Sequence, residues 1–530
     1  MKKRQALAAL LVGTMAVTTM TGCGNGNSTE TKGETKTAAE GTTAEEKTAE
    51  NTERVKIRIV SGDPVELPPE GENWMDEALS EAIGADVEFS ILGAGSDYAT
   101  ALNVQISGGD TPDIFAVPAR PDANSTSVIN KETYQQYAKN GVIMSISPYL
   151  DQLTAVTDFA GMPKTADLYE DQAYLIPILR TSESTTIFTA NMIRTDWLKN
   201  VGLEKPTTPE ELLEAAKKFT FEDPDGNGKQ DTYGISGPGL GVYDSILNGY
   251  GASVSNDILI KDGKVTSSLL SPYMKEGLNM CKAFVDAGVV DPDMLANTGT
   301  VATDKAVQGM YGITNASYAG LLRPTTQEQV HEVNPDAIWE LYDALEGPDG
   351  AACGKYDFAE TRTKYVIGKH VEDDPAKLEK VIELLNYLAS EEGQRLTSYG
   401  LEGPHYNLVD GEPVATDVML EETDFAYAYQ LIGRDDSEYL KVKFPEWKDL
   451  IPAAKAYPRF EVYNSAVTPP EGFYMEDFNK YINEEMTKFI YGQRDIEEYD
   501  QFLKELDNMF GFSDFMKVAE EQLGAQGYLK

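Results

Sequence analysis

Residues 55–61 run Val-Lys-Ile-Arg-Ile-Val-Ser, and residues 87–91 run Val-Glu-Phe-Ser-Ile. Apolar side chains take alternate positions in both stretches, which predicts β-strands with one buried face. Helical spacing of apolar residues predicts helices over Trp74–Ile83 and Tyr98–Ser107, and a short buried strand follows at Ile114–Val117. Because strands and helices alternate at this spacing, the segment predicts a parallel sheet covered by helices on both faces.

Ligands of such sheets bind at the carboxyl ends of the strands. In this segment those ends correspond to Ser61–Asp63, Gly93–Tyr98 and Pro118–Arg120. We therefore expect ligand contacts near these three positions.

The composition limits the choice of partners. The chain has 530 residues, with 87 acidic and 45 basic side chains and a net charge of −42. Such a surface repels nucleic acid and anionic membranes. The length exceeds that of one ordinary hydrophobic core, so at least two lobes are expected.

The N-terminus has the pattern of a secretion signal. Three basic residues, Lys2 to Arg4, precede an apolar stretch over 6–20 that is too short to span a bilayer. The stretch ends at Met20-Thr21-Gly22-Cys23, which resembles the lipobox of bacterial lipoproteins. That resemblance implies a signal peptide over 1–22, cleavage before Cys23 and a palmitate-type lipid on its sulfur; ordinary secretion is the alternative.

Residues 24–53 contain no aromatic or large aliphatic side chain, so they cannot form a core. We expect 23–53 to be a lipidated cysteine followed by a disordered tether. A tether of this length would hold the folded part on the order of 30 Å from its anchor.

A calcium-loop pattern lies at 223–234, which runs Asp-Pro-Asp-Gly-Asn-Gly-Lys-Gln-Asp-Thr-Tyr-Gly. Oxygen-bearing groups fall at positions 1, 3, 5, 7 and 9, with glycine at position 6, as in an EF-hand loop. Position 12 is Gly234, where an EF-hand has a bidentate glutamate. The expected ligands are Asp223, Asp225, Asn227, Lys229 through its carbonyl, and Asp231. The alternative is a polar turn without a metal.

The flanks of this loop predict a helix before it and a strand after it. Thr208 can cap a helix that begins at Pro209, and Glu211 can close a capping box. Asp231–Ile235 has the pattern of a strand entry. No second EF-hand helix follows, so we expect a structural calcium ion rather than a calcium sensor or a catalytic metal.

Cysteine usage gives no redox or zinc signature, because no Cys-x-x-Cys pair is present. Cys281 lies at helical spacing with Leu278 and Val285 and is expected to be a buried thiol. A bridge from Cys281 to Cys353 is the alternative.

Several motifs in a fixed order resemble the family-1 extracellular solute-binding proteins of ABC importers, particularly the long oligosaccharide-type lipoproteins that include alginate-binding proteins. They are 107–114 (Ser-Gly-Gly-Asp-Thr-Pro-Asp-Ile), 174–177 (Tyr-Leu-Ile-Pro), 194–198 (Arg-Thr-Asp-Trp-Leu), 202–203, 206–208, 223–234 and 399–406 (Tyr-Gly-Leu-Glu-Gly-Pro-His-Tyr). In alginate-binding members a similar calcium loop stabilises one lobe away from the sugar.

The resemblance implies an α/β fold of the two-lobed periplasmic-binding-protein (Venus-flytrap) type, each lobe a mainly parallel sheet flanked by helices. Each lobe would be built from discontinuous chain segments. The expected segments are 54–180 for lobe 1, 181–305 for lobe 2 with the calcium loop, 306–372 returning to lobe 1, and 373–530 returning to lobe 2 with the C-terminal helices.

The same resemblance implies a carbohydrate bound between the lobes. Aromatic rings cover the flat faces of sugars, while carboxylates, amides and arginine bind the hydroxyls. The candidate contacts are Trp74, Asp113, Arg120, Tyr318, Trp339, Glu402, His405 and Tyr406. For each of these residues the alternative is packing in the core or on the surface.

The predicted function is therefore the substrate-binding lipoprotein of an ABC importer. It would be a monomer at the extracellular face of the cell membrane, held there only by its lipid, and would deliver an oligosaccharide to permease subunits. Two alternatives remain. A glycosidase or lyase would need a placed pair of catalytic groups, which no stretch of the sequence singles out. A surface adhesin or a sensor's ligand-presenting protein would use the same cleft.

Overall fold

The computed structural model describes residues 54–529 except 63–66, 70–71, 94, 120–128, 165–166, 180–188, 358–363 and 422–426. The predicted signal peptide, the lipidation site Cys23, the tether and the candidate Arg120 lie outside the described residues.

The strands are bounded as follows: β1 Lys56–Ser61, β2 Asp86–Ile91, β3 Ile114–Ala116, β4 Leu168–Tyr169, β5 Gln172–Ala173, β6 Thr189–Arg194, β7 Tyr233–Ile235, β8 Ile258–Lys261, β9 Lys264–Ser267, β10 Tyr311–Ser317, β11 Trp339–Leu341, β12 Glu346–Gly347, β13 Gly350–Ala351, β14 Lys355–Asp357, β15 Tyr365–Ile367, β16 Tyr406–Val409, β17 Glu412–Ala415 and β18 Phe460–Val462.

The helices are bounded as follows: α1 Trp74–Ile83, α2 Gly95–Ser107, α3 Lys131–Lys139, α4 Thr154–Ala160, α5 Thr195–Val201, α6 Pro209–Phe221, α7 Asp244–Leu247, α8 Met274–Asp286, α9 Gly299–Val307, α10 Tyr318–Leu321, α11 Pro324–Val333, α12 Pro375–Ala389, α13 Glu391–Tyr399, α14 Asp417–Glu421, α15 Asp436–Lys443, α16 Leu450–Ala456, α17 Met475–Ile490, α18 Tyr499–Phe510 and α19 Phe512–Ala525.

The first sheet has the strand order β15-β3-β1-β2. Strand β1 runs parallel to β2 and β3, with Ile59 opposite Phe89 and Ile114, and β15 joins antiparallel to β3. The apolar residues of the alternating pattern, Ile57 and Ile59, are fully buried. The strands and helices predicted over 55–117 are confirmed.

Helix α1 shows why the local pattern was informative. The Asn73 side chain accepts a hydrogen bond from the Asp76 amide at its start, and Gly84 ends it in the left-handed conformation with φ 63°. Only glycine adopts that conformation without a steric cost. Its buried face is Met75, Leu79 and Ile83, spaced four residues apart.

The second sheet has the order β11-β6-β10-β7. Strand β10 is parallel to β7 but antiparallel to β6, and β11 is also antiparallel to β6. The prediction of a mainly parallel sheet is therefore right for the first lobe and wrong for the second. The strand-helix alternation that supported it occurs in 55–117, which contributes to the first sheet alone.

Separate hydrophobic cores accompany the two sheets. The core of the first lobe combines residues from 57–176 with residues from 365–432. The cores of the second lobe combine residues from 190–354 with residues from 440–523. Residues up to Leu179 thus belong to the first lobe, and Thr189 to Asp357 belong to the second. From Lys364 the described chain lies again in the first lobe, and it passes to the second near 433–435.

These assignments correct the predicted return boundaries. Residues 311–317 and 339–341 were assigned to lobe 1, but they form β10 and β11 of the second sheet. Residues 375–432 were assigned to lobe 2, but they pack in the first core. The return occurs where β15 pairs with β3, a long-range contact that local composition does not mark.

Both described cysteines, Cys281 and Cys353, are buried free thiols. They belong to different clusters of the second lobe. The predicted buried thiol at Cys281 is confirmed, and the alternative bridge is absent. Within the described part of the chain, every helix is too short or too polar to cross a lipid bilayer.

Candidate functional site

The loop at 400–406 is held against α1 by a stacked pair of rings. The His405 and Trp74 rings lie 4.6 Å apart at 29°, and His405 Nδ1 accepts a hydrogen bond of 2.9 Å from the Leu401 amide. Gly400 has φ 84°, and a Cβ at this position would come within 2.7 Å of the His405 ring. His405 is only 4% exposed. Trp74 and His405 therefore anchor the loop.

This loop borders a cavity of about 720 Å³ that also contacts α1, α12 and α13. Glu402 and Tyr406 line it together with Tyr387, Arg395 and Glu81. Tyr406 packs edge-on against Tyr399, with 5.8 Å between ring centroids. The structure thus brings Trp74, Glu402, His405 and Tyr406 into one neighbourhood. Every described residue that lines this cavity belongs to the first lobe, however, so these residues do not form a cleft between lobes.

Asp113 has a packing role that the sequence did not indicate. It is 2% exposed, and its carboxylate accepts hydrogen bonds from the Arg58 amide at 2.8 Å and Lys377 Nζ at 2.9 Å. His370 Nε2 lies 2.7 Å from the same carboxylate. These partners tie the residue before β3 to β1 and α12. The predicted sugar contact at Asp113 is corrected, because its oxygens are already engaged within the first lobe.

Tyr318 and Trp339 are also corrected. Both are buried in the second lobe, where Tyr318 packs edge-on against Trp447 and Trp339 packs edge-on against Tyr311. A ring enclosed in this way has no face open to a sugar. Arg194 further covers Trp339, with its guanidinium carbon 5.9 Å from the ring centroid.

A larger cavity, about 930 Å³, lies at the carboxyl ends of β7 and β10 in the second lobe. Its polar lining includes Asn315 and Ser317 from β10, Arg323, and the ion pair of Asp244 and Lys355. The position agrees with the rule for ligand sites of α/β sheets. None of these residues was predicted, because contacts such as the Lys355–Asp244 ion pair join segments that are distant in the sequence.

A cluster of one ammonium and two carboxylate groups lies beside this cavity. Lys355 Nζ lies 2.8 Å from Asp244 Oδ2 and 2.9 Å from Asp257 Oδ2. Burial disfavours the charged form of Lys355, but the two carboxylates outweigh it and keep the pKa of the lysine above its ordinary value. Burial raises the pKa of Asp257. Lys355 therefore stays protonated and fixes both carboxylates beside the cavity.

The loop at 223–234 has the predicted flanks. The Thr208 side chain accepts from the Glu211 amide at 3.3 Å, and Glu211 Oε2 accepts from the Thr207 amide at 2.8 Å. Glu211 thus closes the capping box on the amide of Thr207, one residue before the expected N-cap Thr208. Gly226 and Gly228 take φ 69° and 79°, and Asp223 takes φ 49°.

The oxygens of the loop are only partly satisfied. The side-chain amide nitrogen of Asn227 donates to Asp225 Oδ2 at 2.7 Å and to Asp231 Oδ1 at 3.1 Å. Asp223 Oδ1 is buried and has no donor among the described residues. Burial raises the pKa of Asp225, and repulsion from Asp223 and Asp231 adds to the effect.

Across the described residues, no group of three carboxylate, imidazole or thiolate side chains is arranged to hold a metal ion. The chemistry of the loop nevertheless fits a hard cation, because an unpaired buried carboxylate oxygen and mutual repulsion are what such an ion relieves. The residues present therefore fit calcium as ligand types, although their side chains are not placed around one point.

The model of the family described as bacterial extracellular solute-binding protein matches residues 69–395, which is more than half of the chain. The chain belongs to the bacterial extracellular solute-binding protein family. This match confirms the family suggested by the sequence motifs.

Two curated relatives resemble this solute-binding protein over most of its length. Lipoprotein LipO of Bacillus subtilis (strain 168) is 26% identical over 462 residues, covering 83% of this chain and 87% of LipO. The fructooligosaccharide ABC transporter substrate-binding protein FusA of Streptococcus pneumoniae is 23% identical over 509 residues, covering 87% of this chain and 89% of FusA.

Solved structures share the fold. The alginate-binding protein AlgQ2 without calcium ion superposes with a TM-score of 0.63 at 16% identity, covering 88% of this chain and 98% of AlgQ2. FusA in complex with kestose also superposes with a TM-score of 0.63, at 20% identity, covering 90% of this chain and 98% of FusA. The predicted two-lobed periplasmic-binding-protein fold is confirmed.

Proposed function

We propose that this solute-binding protein binds an oligosaccharide between its lobes and delivers it to ABC permease subunits, without chemical change to the sugar. The observation that carries the proposal is the pair of sheets with separate cores, joined by repeated chain crossings, in a family of solute-binding proteins. The names of FusA and AlgQ2, proteins of the same fold, support a carbohydrate ligand.

Capture and release of the ligand would involve a hinge motion of the two lobes about the segments in which the chain passes from one lobe to the other. At the crossing near 433–435, Arg434 lies between two rings, with its guanidinium carbon 3.8 Å from the Tyr429 centroid and 3.4 Å from that of Tyr439. Tyr429 belongs to the first-lobe segment and Tyr439 to α15. A ligand that contacts both lobes only when they close shifts the population towards the closed form.

The loop at 223–234 would hold a structural calcium ion, with Asp223, Asp225, Asn227, Asp231 and the Lys229 carbonyl as ligands. The unpaired Asp223 oxygen and the raised pKa of Asp225 support this part of the proposal. Calcium would supply charge neutralisation for the loop and no catalytic chemistry. The name of a FusA structure, an EF-hand mutant, supports a calcium loop in a protein of this fold.

The cellular setting follows from Cys23. Lipidation there would hold a monomer at the extracellular face of the membrane, and the name of LipO supports a lipoprotein. The glycan-contacting residues proposed in the second lobe are Asn315 and Arg323, which line its larger cavity. Glu402 and Tyr406 line a cavity whose described residues all belong to the first lobe, and their contact with the glycan stays a prediction.

Calorimetry against neutral and acidic oligosaccharides, with chromatography of the same samples, tests the function. We expect saturable binding with every sugar chain recovered intact. Shortened chains would instead identify a glycosidase or lyase. Failure to bind any member of the panel would refute the carbohydrate assignment.

A further inference from the structure

A groove of about 760 Å³ lies between the two lobes and is lined by other residues than the β10 cavity. One wall is the start of α3 in the first lobe, including Asn130 and Lys131. The other wall is the segment 465–477 of the second lobe. Lys131 Nζ reaches the Ala466 carbonyl at 3.4 Å. Unlike the two cavities described above, this groove has walls from both lobes.

Tyr474 lies in this groove with its side chain 72% exposed. Among the large hydrophobic side chains of the described residues it is the most exposed. Aromatic rings usually bury most of their surface on folding. An exposed ring at the boundary of two lobes is therefore a surface that a flat apolar face could cover.

The segment that carries Tyr474 is fixed to the second lobe. The Gln522 side chain donates to the Thr468 carbonyl and accepts from the Thr468 amide, both at 2.8 Å. The preceding residue, Phe473, packs in an aromatic cluster 4.7 Å from Phe515. Because these contacts hold the backbone before Tyr474 and α17 begins at Met475, a ligand that covers the ring need not order the backbone.

The charge of the groove selects among sugars. Among the described residues that line it, four exposed carboxylates, from Glu132, Glu471, Glu476 and Asp477, stand against the one ammonium group of Lys131. A uronate would be repelled by this excess of negative charge. The hydroxyls of an uncharged sugar can instead donate hydrogen bonds to carboxylates.

From these observations we propose that Tyr474 is the stacking platform of a subsite for an uncharged sugar ring in the groove between the lobes. This inference rests on the proposed function and narrows it to neutral oligosaccharides. Tyr474 would contribute to specificity by covering the C–H face of one ring, while the neighbouring carboxylates accept from its hydroxyls.

The test uses the complete protein and three variants. Tyr474→Ala removes the ring, Tyr474→Phe keeps it, and Met509→Ala is a control at an exposed apolar position outside the groove. Calorimetry measures each against neutral fructo- and malto-oligosaccharides and against uronate oligomers of equal length. Thermal melts in the absence of sugar establish that each variant folds.

We expect Tyr474→Ala to weaken binding of the preferred neutral oligosaccharide about ten-fold, because a sugar–aromatic contact of this kind contributes on the order of one factor of ten. Tyr474→Phe and Met509→Ala should stay within about two-fold of the wild type. If the wild type binds and Tyr474→Ala binds equally well, the subsite is wrong while the proposed function stands. Tighter binding of uronates than of neutral sugars overturns the charge argument. A wild type that binds no glycan overturns the proposed function itself.

Discussion

Asp76 gives the sharpest prediction about stability. Its carboxylate accepts hydrogen bonds from the Phe89 amide at 3.1 Å and from the Tyr427 hydroxyl at 3.2 Å. Burial nevertheless raises the pKa of Asp76 to about 6, from an ordinary value of 3.8. The native state therefore keeps the proton over a pH range in which the unfolded chain has lost it.

The sign of the effect follows from proton binding. Between about pH 4 and pH 6 the folded state binds more protons at Asp76 than the unfolded state, so the free energy of unfolding falls as pH rises. A shift of about two units corresponds to about 3 kcal/mol at most. Partial exposure of the side chain reduces the expected value to about 1–2 kcal/mol.

Asp76→Asn should remove this dependence, because an amide does not titrate. Its oxygen can accept from the Phe89 amide in place of Oδ2, and its NH2 group then faces the Tyr427 hydroxyl, which can accept a hydrogen bond. Urea denaturation of both proteins at about pH 4 and about pH 7 measures it. We expect the variant to gain about 1–2 kcal/mol relative to the wild type between these pH values. The matched control is Glu77→Gln, which changes the charge by the same amount at the exposed neighbouring position. An equal stability difference at both pH values would refute the reasoning.

Three further predictions concern the rest of the chain. A chelator should lower the melting temperature of the wild type, because an ion bound only by the native loop stabilises the protein by about 3 kcal/mol at a hundred times its Kd. Asp225→Ala should abolish this response. A wild-type melt unaffected by chelation argues against the calcium loop. Burial raises the pKa of Cys353 to about 11 and that of Cys281 well above its ordinary value. A thiol reagent should therefore react with both cysteines only in denaturant. Rapid reaction of either thiol in buffer would contradict their burial. Asp113→Ala should cost about 3–5 kcal/mol because it leaves the Lys377 charge unpaired. Asp110→Ala, which removes an exposed ion pair with Arg58, should cost much less. Similar losses for the two variants in urea titrations would disprove the buried network.

The sequence predicted elements whose signals lie within a few residues of one another. Helix α1 and its glycine end, the capped start of α6 and the strands over 55–117 all follow from spacing and capping chemistry that neighbouring residues express directly. The family resemblance likewise depended on short motifs. Four of the candidate sugar contacts share one neighbourhood because three of them lie in the single loop at 399–406.

What the sequence could not reveal were the pairings between distant segments. The order of β6, β10 and β7, the antiparallel contacts of β11, and the return of the chain at β15 depend on which strand edges meet in three dimensions. For the same reason Asp113 turned from a candidate sugar contact into the partner of Lys377. The groove that exposes Tyr474 also exists only because α3 and the segment before α17 face one another across the two lobes.

Local periodicity and capping thus determined which residues form helices, strands and turns, because those preferences arise from contacts within one or two turns of the chain. The tertiary structure alone decided which charges are paired, which rings are covered and where the two lobes share a surface. The physical reason is that burial and pairing depend on long-range contacts, and no short stretch of sequence contains both partners of such a contact.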